Sequence, residues 1–203
     1  MRFLALGDSY TIGEGVDEAD RWPVRLAGLL RERGIAIDEP EIIARTGWTT
    51  DELSAAIDEA NPRGPYALVT LLIGVNNQYR GRDAEEYRAQ FTDLLRRAVG
   101  FAGGDARRVI VLSIPDWGVT PFAEGRDRAR IAAEIDVYNA INRDEAARAG
   151  ARYVDVTAQT RSAGADPAFV VGDGLHPSAL SYAEWARLAL PEAEQALAAT
   201  QKH

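Results

Sequence analysis

The chain has 203 residues, 31 acidic side chains against 23 basic ones for a net charge of −8, and no cysteine. That length suits one domain able to bury its own core, and without thiols there is no disulfide framework, cysteine nucleophile, iron–sulfur cluster or cysteine-based zinc site. The acidic balance opposes binding to nucleic acid or to an anionic membrane, since both demand a basic face.

Residues 3–6 form a short apolar run that stops at Gly7-Asp8, as a buried strand would. The run is far shorter than the ~7–15 apolar residues of a signal peptide. No later stretch nears the ~20 of a membrane span. The expectation is a cytoplasmic chain with no stable membrane association.

Residues 22–33 place Val24, Leu26, Leu29 and Leu30 on one helical face, and Gly34 marks the stop. Residues 41–45 are a second strand. Residues 50–60 are helical, with Thr49 or Thr50 able to cap them, and Asn61-Pro62 ends them. Residues 67–73 are almost wholly apolar, the pattern of a strand covered on both faces. A long amphipathic helix over 83–101 leads to the turn Gly103-Gly104, then to a strand over 108–113.

The segment 114–125 contains Pro115, Gly118 and Pro121 and reads as a structured loop. A helix over 126–149 stops at Gly150, and 152–156 is a fifth strand. Arg126, Arg128 and Arg130 are interrupted by Asp127, with Glu124 and Glu134 nearby, and read as a solvated helix face. The last helical stretch is 178–190; Pro191 is expected to kink it or restart it as 192–200.

Strands alternating with helices predict a parallel sheet covered on both faces. In such sheets, sites form beyond the carboxyl ends of the strands. Gly7-Asp8-Ser9, Thr46-Gly47-Trp48 and Gly74-Val75-Asn76-Asn77 all follow predicted strands. Asp173-Gly174-Leu175-His176 precedes the last helix. Alone, each segment could be a turn or a helix cap. Together, at the places where the topology expects a site, they are a constellation.

The scarce residues sharpen it. Apart from the terminal Lys202, every basic residue is arginine, so a phosphate-loop lysine is missing. The histidines are His176 and the terminal His203. A multi-histidine metal site is therefore not expected, and a general base near neutral pH has essentially one imidazole to come from.

In these segments the sequence resembles the SGNH (also called GDSL) hydrolase family. The resemblance runs nearly the full length and suggests a single domain over 1–203, like a bacterial-type esterase or lysophospholipase. It rests on the Gly-Asp-Ser, the mid-chain glycine, the Gly-x-Asn and the Asp-x-x-His, in that order. It implies a three-layer α/β/α sandwich around a flavodoxin-like, five-stranded parallel sheet. It also implies hydrolysis of a small-molecule carboxylic ester, with no cofactor and no metal.

In this scheme Ser9 is the nucleophile, and it needs a neighbouring base. His176 takes its proton, and Asp173 orients the imidazole. The family pattern implies an oxyanion hole from the backbone N–H groups of Ser9 and Gly47 and the side chain of Asn76. Asp8, Trp48, Asn77, Tyr79, Trp117 and Phe122 are the candidate substrate-binding residues, with Asp8 expected to brace the nucleophile loop.

Two departures stand out. Tyr10 replaces a frequent leucine, with little expected consequence, and Asn77 replaces a frequent aspartate, which puts the support of that loop in question. Thr11 stands where the nucleophile elbow has its second glycine, and Ser9 where a dinucleotide fingerprint needs one. The rival readings are a carbohydrate O-acetyl esterase or thioesterase on the same residues, a non-catalytic binding module, and a flavin or phosphate binder.

Overall fold

Strand β1 (Phe3–Asp8) is buried along its whole length because it lies inside the sheet. The order is β2-β1-β3-β4-β5, with β2 at Glu41–Arg45, β3 at Leu68–Leu72, β4 at Val109–Leu112 and β5 at Arg152–Val154. Every pairing is parallel; Leu6, for example, faces Ile43 on one side and Leu71 on the other. The structure, a computed structural model, describes residues 1–198. The end of the predicted 192–200 helix, Lys202 and His203 lie outside the described residues.

Helices cover both faces. On one side α2 (Trp22–Glu32) packs against α8 (Ala179–Ala198); on the other, α5 (Ala84–Phe101) lies between α3 (Thr50–Ala60) and α6 (Arg128–Ala149). Trp22 and Trp185 are fully buried in the first layer, and Tyr87 and Phe91 in the second. Full burial of one such side chain contributes about 1.5–3 kcal/mol. No helix among the described residues is long and apolar enough to cross a membrane.

The remaining helices are short: α1 (Ser9–Ile12), α4 (Val75–Tyr79) and α7 (Thr157–Ala163). Helix α1 begins directly after β1, and α4 begins after the two residues, Ile73 and Gly74, that follow β3. After β1 the chain crosses to β2 on one side, whereas after β3 it crosses to β4 on the other. The loops leaving these neighbouring strand ends diverge, and a crevice opens between them.

Several boundaries differ from expectation; β1, for example, runs on through Gly7 to Asp8. Helix α6 begins at Arg128 rather than 126, because the Asp127 carboxylate caps it by accepting from the Arg130 N–H at 3.0 Å. Strand β5 stops at Val154, because the Ser113 hydroxyl accepts the N–H groups of Val156 and Thr157 at 2.8 and 3.0 Å and turns the chain into α7, which the sequence pattern did not suggest. Helix α4 breaks the predicted loop after β3.

Helix α8 continues through Pro191. Pro191 stands on an exposed face, and so does Arg187, whose carbonyl loses the N–H partner. Buried residues before the proline (Trp185, Ala186, Ala189) and after it (Ala193, Ala196, Leu197) keep both halves on one layer.

Gly7 is required by close approach. A Cβ there would stand 2.2 Å from Thr11 Oγ1 and 2.6 Å from the Leu72 carbonyl oxygen. Gly7→Ala is therefore expected to lower the unfolding free energy by about 1–3 kcal/mol, as overpacking does. Urea denaturation of the two proteins checks this, and equal midpoints would contradict it.

Candidate active site

Ser9 opens α1 at the end of β1 and is buried. The Asp8 carboxylate caps that turn, its Oδ1 accepting from the Tyr10 N–H at 3.0 Å. The Thr46-Gly47-Trp48 segment follows β2, and Asn76 lies in α4 after β3. The Asn76 side chain donates to the Trp48 carbonyl at 2.9 Å, which ties the second and third segments together. An amide nitrogen carries two hydrogens, so one remains for another acceptor.

His176 arrives from the far end of the chain. Asp173 Oδ1 accepts the N–H groups of Leu175 and His176 at 2.8 and 3.0 Å, while its Oδ2 stands 2.6 Å from His176 Nδ1. One carboxylate thus folds the turn and holds the ring. Burial by itself would raise the Asp173 pKa, but hydrogen bonds from the His176 ring and from the two backbone N–H groups outweigh it and hold the carboxyl below its usual value. An ionised carboxylate only accepts, so Nδ1 carries a proton, and in the neutral ring the lone pair falls on Nε2.

Ser9, Gly47, Asn76 and His176 line one cavity of about 210 Å³, together with Tyr79, Trp117 and Phe122. Four groups far apart in sequence therefore share one small chamber. Gly47 has φ +88°, a backbone conformation that favours glycine. The nearest atom to a Cβ there would be Arg80 Nη2 at 3.9 Å, so the constraint is the backbone rather than the space. The Arg80 guanidinium donates to the Gly47 carbonyl at 2.7 Å and lies 3.4 Å from Glu52.

The other expected residues divide. Tyr79, Trp117 and Phe122 stand at the cavity as a ring cluster, with centroids 5.4 to 6.4 Å apart. Gln78 fixes one of them by accepting from Trp117 Nε1 at 2.8 Å. Asp8, Trp48 and Asn77 do not line the cavity. Asp8 is fully buried below the Ser9 turn, and Trp48 contributes its carbonyl to Asn76. Asn77 is fully buried between α4 and α3: its Oδ1 accepts the Thr50 N–H at 3.1 Å, and its Nδ2 donates to Thr50 Oγ1 at 2.7 Å. Thr50 Oγ1 then donates to Gln90. The amide that replaces aspartate joins this chain of neutral groups with no buried charge. Thr49, not Thr50, caps α3, its N–H held by Glu52 at 2.8 Å.

Several residues were missed. Tyr10 packs its ring against His176 at 5.9 Å and against Trp185 at 5.9 Å, so it bridges the histidine to the core. Thr46, Val75 and Leu175 also line the cavity. Each adjoins a motif residue, and that adjacency was the available signal. Among the described residues no group of three or more histidine, cysteine, aspartate or glutamate side chains could hold a metal.

The model of the GDSL-like lipase/acylhydrolase family matches residues 5–184. No curated protein sequence matches. The solved structure of TesA superposes with a TM-score of 0.76 at 19% identity, covering 97% of this chain and all of that one. Axe2, an acetylxylan esterase from Geobacillus stearothermophilus, gives 0.71 at 21% identity, covering 95% and 93%. A member of the lipolytic G-D-S-L family from Veillonella parvula gives 0.70 at 18%, covering 94% and 97%. At these identities the superpositions show the fold, a five-stranded parallel sheet with flanking helices.

The buried Asp8 carboxyl yields a test. Burial pushes its pKa up to about 7, against the hydrogen bond from the Tyr10 N–H, and its Oδ2 has no hydrogen-bond partner among the described residues. The folded chain holds this proton where the unfolded chain has lost it, so stability falls as pH rises from about 4 toward 7. Asp8→Asn removes that slope. Relative to wild type, the variant is expected to be more stable at pH 8 than at pH 5 by roughly 2 kcal/mol. Urea titrations at the two pH values measure it, and a constant difference would refute it.

Proposed function

The chain belongs to the GDSL-like lipase/acylhydrolase family and is an ester-hydrolysing enzyme, and from that premise we propose that Ser9, His176 and Asp173 carry the reaction through an acyl-enzyme. The observation that supports this reading best is that Ser9 and His176 open on the same cavity, while Asp173 holds the other ring nitrogen at 2.6 Å.

Ser9 Oγ attacks the ester carbonyl, and His176 Nε2 takes the hydroxyl proton. The carbon–oxygen bond to the alcohol breaks, and His176 returns the proton to the leaving oxygen. Water then attacks the acyl-Ser9 ester, again giving its proton to His176, and the acid leaves as Ser9 recovers its hydrogen. Asp173 stabilises the imidazolium without taking a proton. In each tetrahedral intermediate the negative oxygen is met by the N–H groups of Ser9 and Gly47 and by the Asn76 amide, whose partner Trp48 keeps it oriented.

A cavity of about 210 Å³ suits a short acyl group. A second reading, removal of acetyl groups from carbohydrate, draws on Tyr79 and Phe122, which are 48% and 37% exposed and offer ring faces to a sugar. The acetylxylan esterase among the similar folds agrees with it. An acetylated xylo-oligosaccharide assayed beside p-nitrophenyl butyrate separates the two.

Ser9→Ala and His176→Ala are each expected to lower kcat/KM on p-nitrophenyl acetate by at least about 1,000-fold. Asn76→Ala should lower kcat by about 100–1,000-fold. A fluorophosphonate should label wild type and not Ser9→Ala. Rates equal across all four proteins, or labelling that survives the loss of Ser9, would contradict the assignment.

A further inference from the structure

Arg126 is the residue that the solvated-face reading left without a role. Because Asp127 caps α6, Arg126 falls in the loop before the helix. Its guanidinium carbon lies 5.5 Å from the Tyr79 ring centroid, 5.3 Å from Trp117 and 5.0 Å from Phe122. These are the three rings at the cavity that holds Ser9 and His176. All three distances fall within the ~6 Å at which a cation is attracted to a ring face. An exposed arginine is thus held on an aromatic platform at the rim of the site.

Beyond the rings, its charge meets no partner of opposite sign among the described residues. Nη2 makes one long hydrogen bond, 3.4 Å to the Tyr79 hydroxyl, which leaves most of the five N–H donors of a guanidinium free. Arg126 also lines a groove of about 490 Å³ that shares Tyr79 and Trp117 with the cavity. Of the three arginines in that groove, Arg82 is paired with Asp51 at 2.7 Å and Arg130 with Glu134 at 2.7 Å. Arg126 makes no ion pair among the described residues. The acids of the groove are engaged too: Glu134 also accepts from Gln78 at 2.7 Å, and Asp127 caps α6.

We propose that Arg126 is a specificity-determining residue: the preferred esters carry an oxyanion, a carboxylate or a phosphate, on the part that passes over the aromatic rim into this groove. Planar N–H forks match such groups bidentately, and the ring platform restrains the side chain before the ligand arrives. A cation held by rings repels a cationic substrate and gives a neutral one no charge partner, so the device discriminates by charge.

This inference rests on the ester-hydrolase reading for turnover but not for binding, so two measurements separate their failures. The first is calorimetry on Ser9→Ala with compounds that are not esters at the reacting centre. The probes are 4-acetamidobutyrate (carboxylate), 3-acetamidopropyl phosphate (phosphate) and the uncharged 4-acetamidobutyramide. At least one anion should bind about fivefold more tightly than the neutral amide, the upper end for an exposed ion pair. Arg126→Gln in the same background should erase that difference, and Arg126→Lys should keep part of it. Whichever anion gains more identifies the group. The difference should shrink in 1 M salt, where the screening length falls to ~3 Å.

The second is turnover of mono-p-nitrophenyl glutarate against p-nitrophenyl butyrate by wild type and Arg126→Gln. The ratio of kcat/KM values should fall about fivefold in the variant. An anion preference in binding without hydrolysis of either ester supports the anion site and overturns the esterase assignment. Hydrolysis of both esters with the same ratio in wild type and variant, and equal binding of the anionic and neutral probes, overturns the proposal. A lower melting temperature in Arg126→Gln with those ratios unchanged does the same and leaves Arg126 a structural clamp.

Discussion

A buried strand that ends in polar chemistry has to satisfy its polar groups where water does not reach. Strand β1 lies between β2 and β3 and is covered throughout, yet its last residue is Asp8 and the next is Ser9. An unpaired buried polar group costs about 1–3 kcal/mol, so the geometry just beyond β1 is strongly constrained. The Tyr10 N–H meets one oxygen of Asp8, and the diverging loops after β1 and β3 leave Ser9 a cavity to face. Asp8 Oδ2 and Thr11 Oγ1 are left without a partner among the described residues, and the Asp8 carboxyl is accordingly driven toward the neutral form.

The other parts of the site are held by polar contacts too, buried at Asn77, partly buried at Asn76 and exposed at Arg80. Asn76 reaches the Trp48 carbonyl, Asn77 is bound at both ends by Thr50, and Arg80 reaches the Gly47 carbonyl. The loops after β2 and β3 are therefore one cross-linked unit rather than two free turns. On the opposite side, Asp173 folds its own turn and the His176 ring at once, and the Phe122 N–H donates to the Gly174 carbonyl at 3.0 Å. That bond joins the histidine turn to the segment carrying the aromatic rim. Preorganisation of this kind is what the proposed attack of the Ser9 hydroxyl on a carbonyl draws on.

Much of this was legible because it is local. Residues 41–45 and 50–60 coincide with β2 and α3, since burial period, capping and a proline stop agree within a few residues. The Asp-x-x-His spacing is equally local: a three-residue separation suffices for one carboxylate to reach both the backbone and the ring. Tyr10 and Arg126 were illegible for the converse reason. Tyr10 matters through rings at 176 and 185, and Arg126 through rings at 79, 117 and 122. Nothing near either residue in the chain announces those partners.

Composition and motif order alone determined that a general base near neutral pH would have one internal imidazole to come from, and that thiol and phosphate-loop lysine chemistry were closed to this chain. Alternating strands and helices determined the parallel sheet. Only the tertiary structure decided that Asn77 faces away from the cavity while Asn76 lines it, that α8 runs on through Pro191, and that Arg126 stands on rings instead of along a helix. Spacing along the chain fixes which residues can share a turn. Which side chains meet across the crevice depends on how helices pack on a twisted sheet, and that packing is the sum of many weak, non-local contacts.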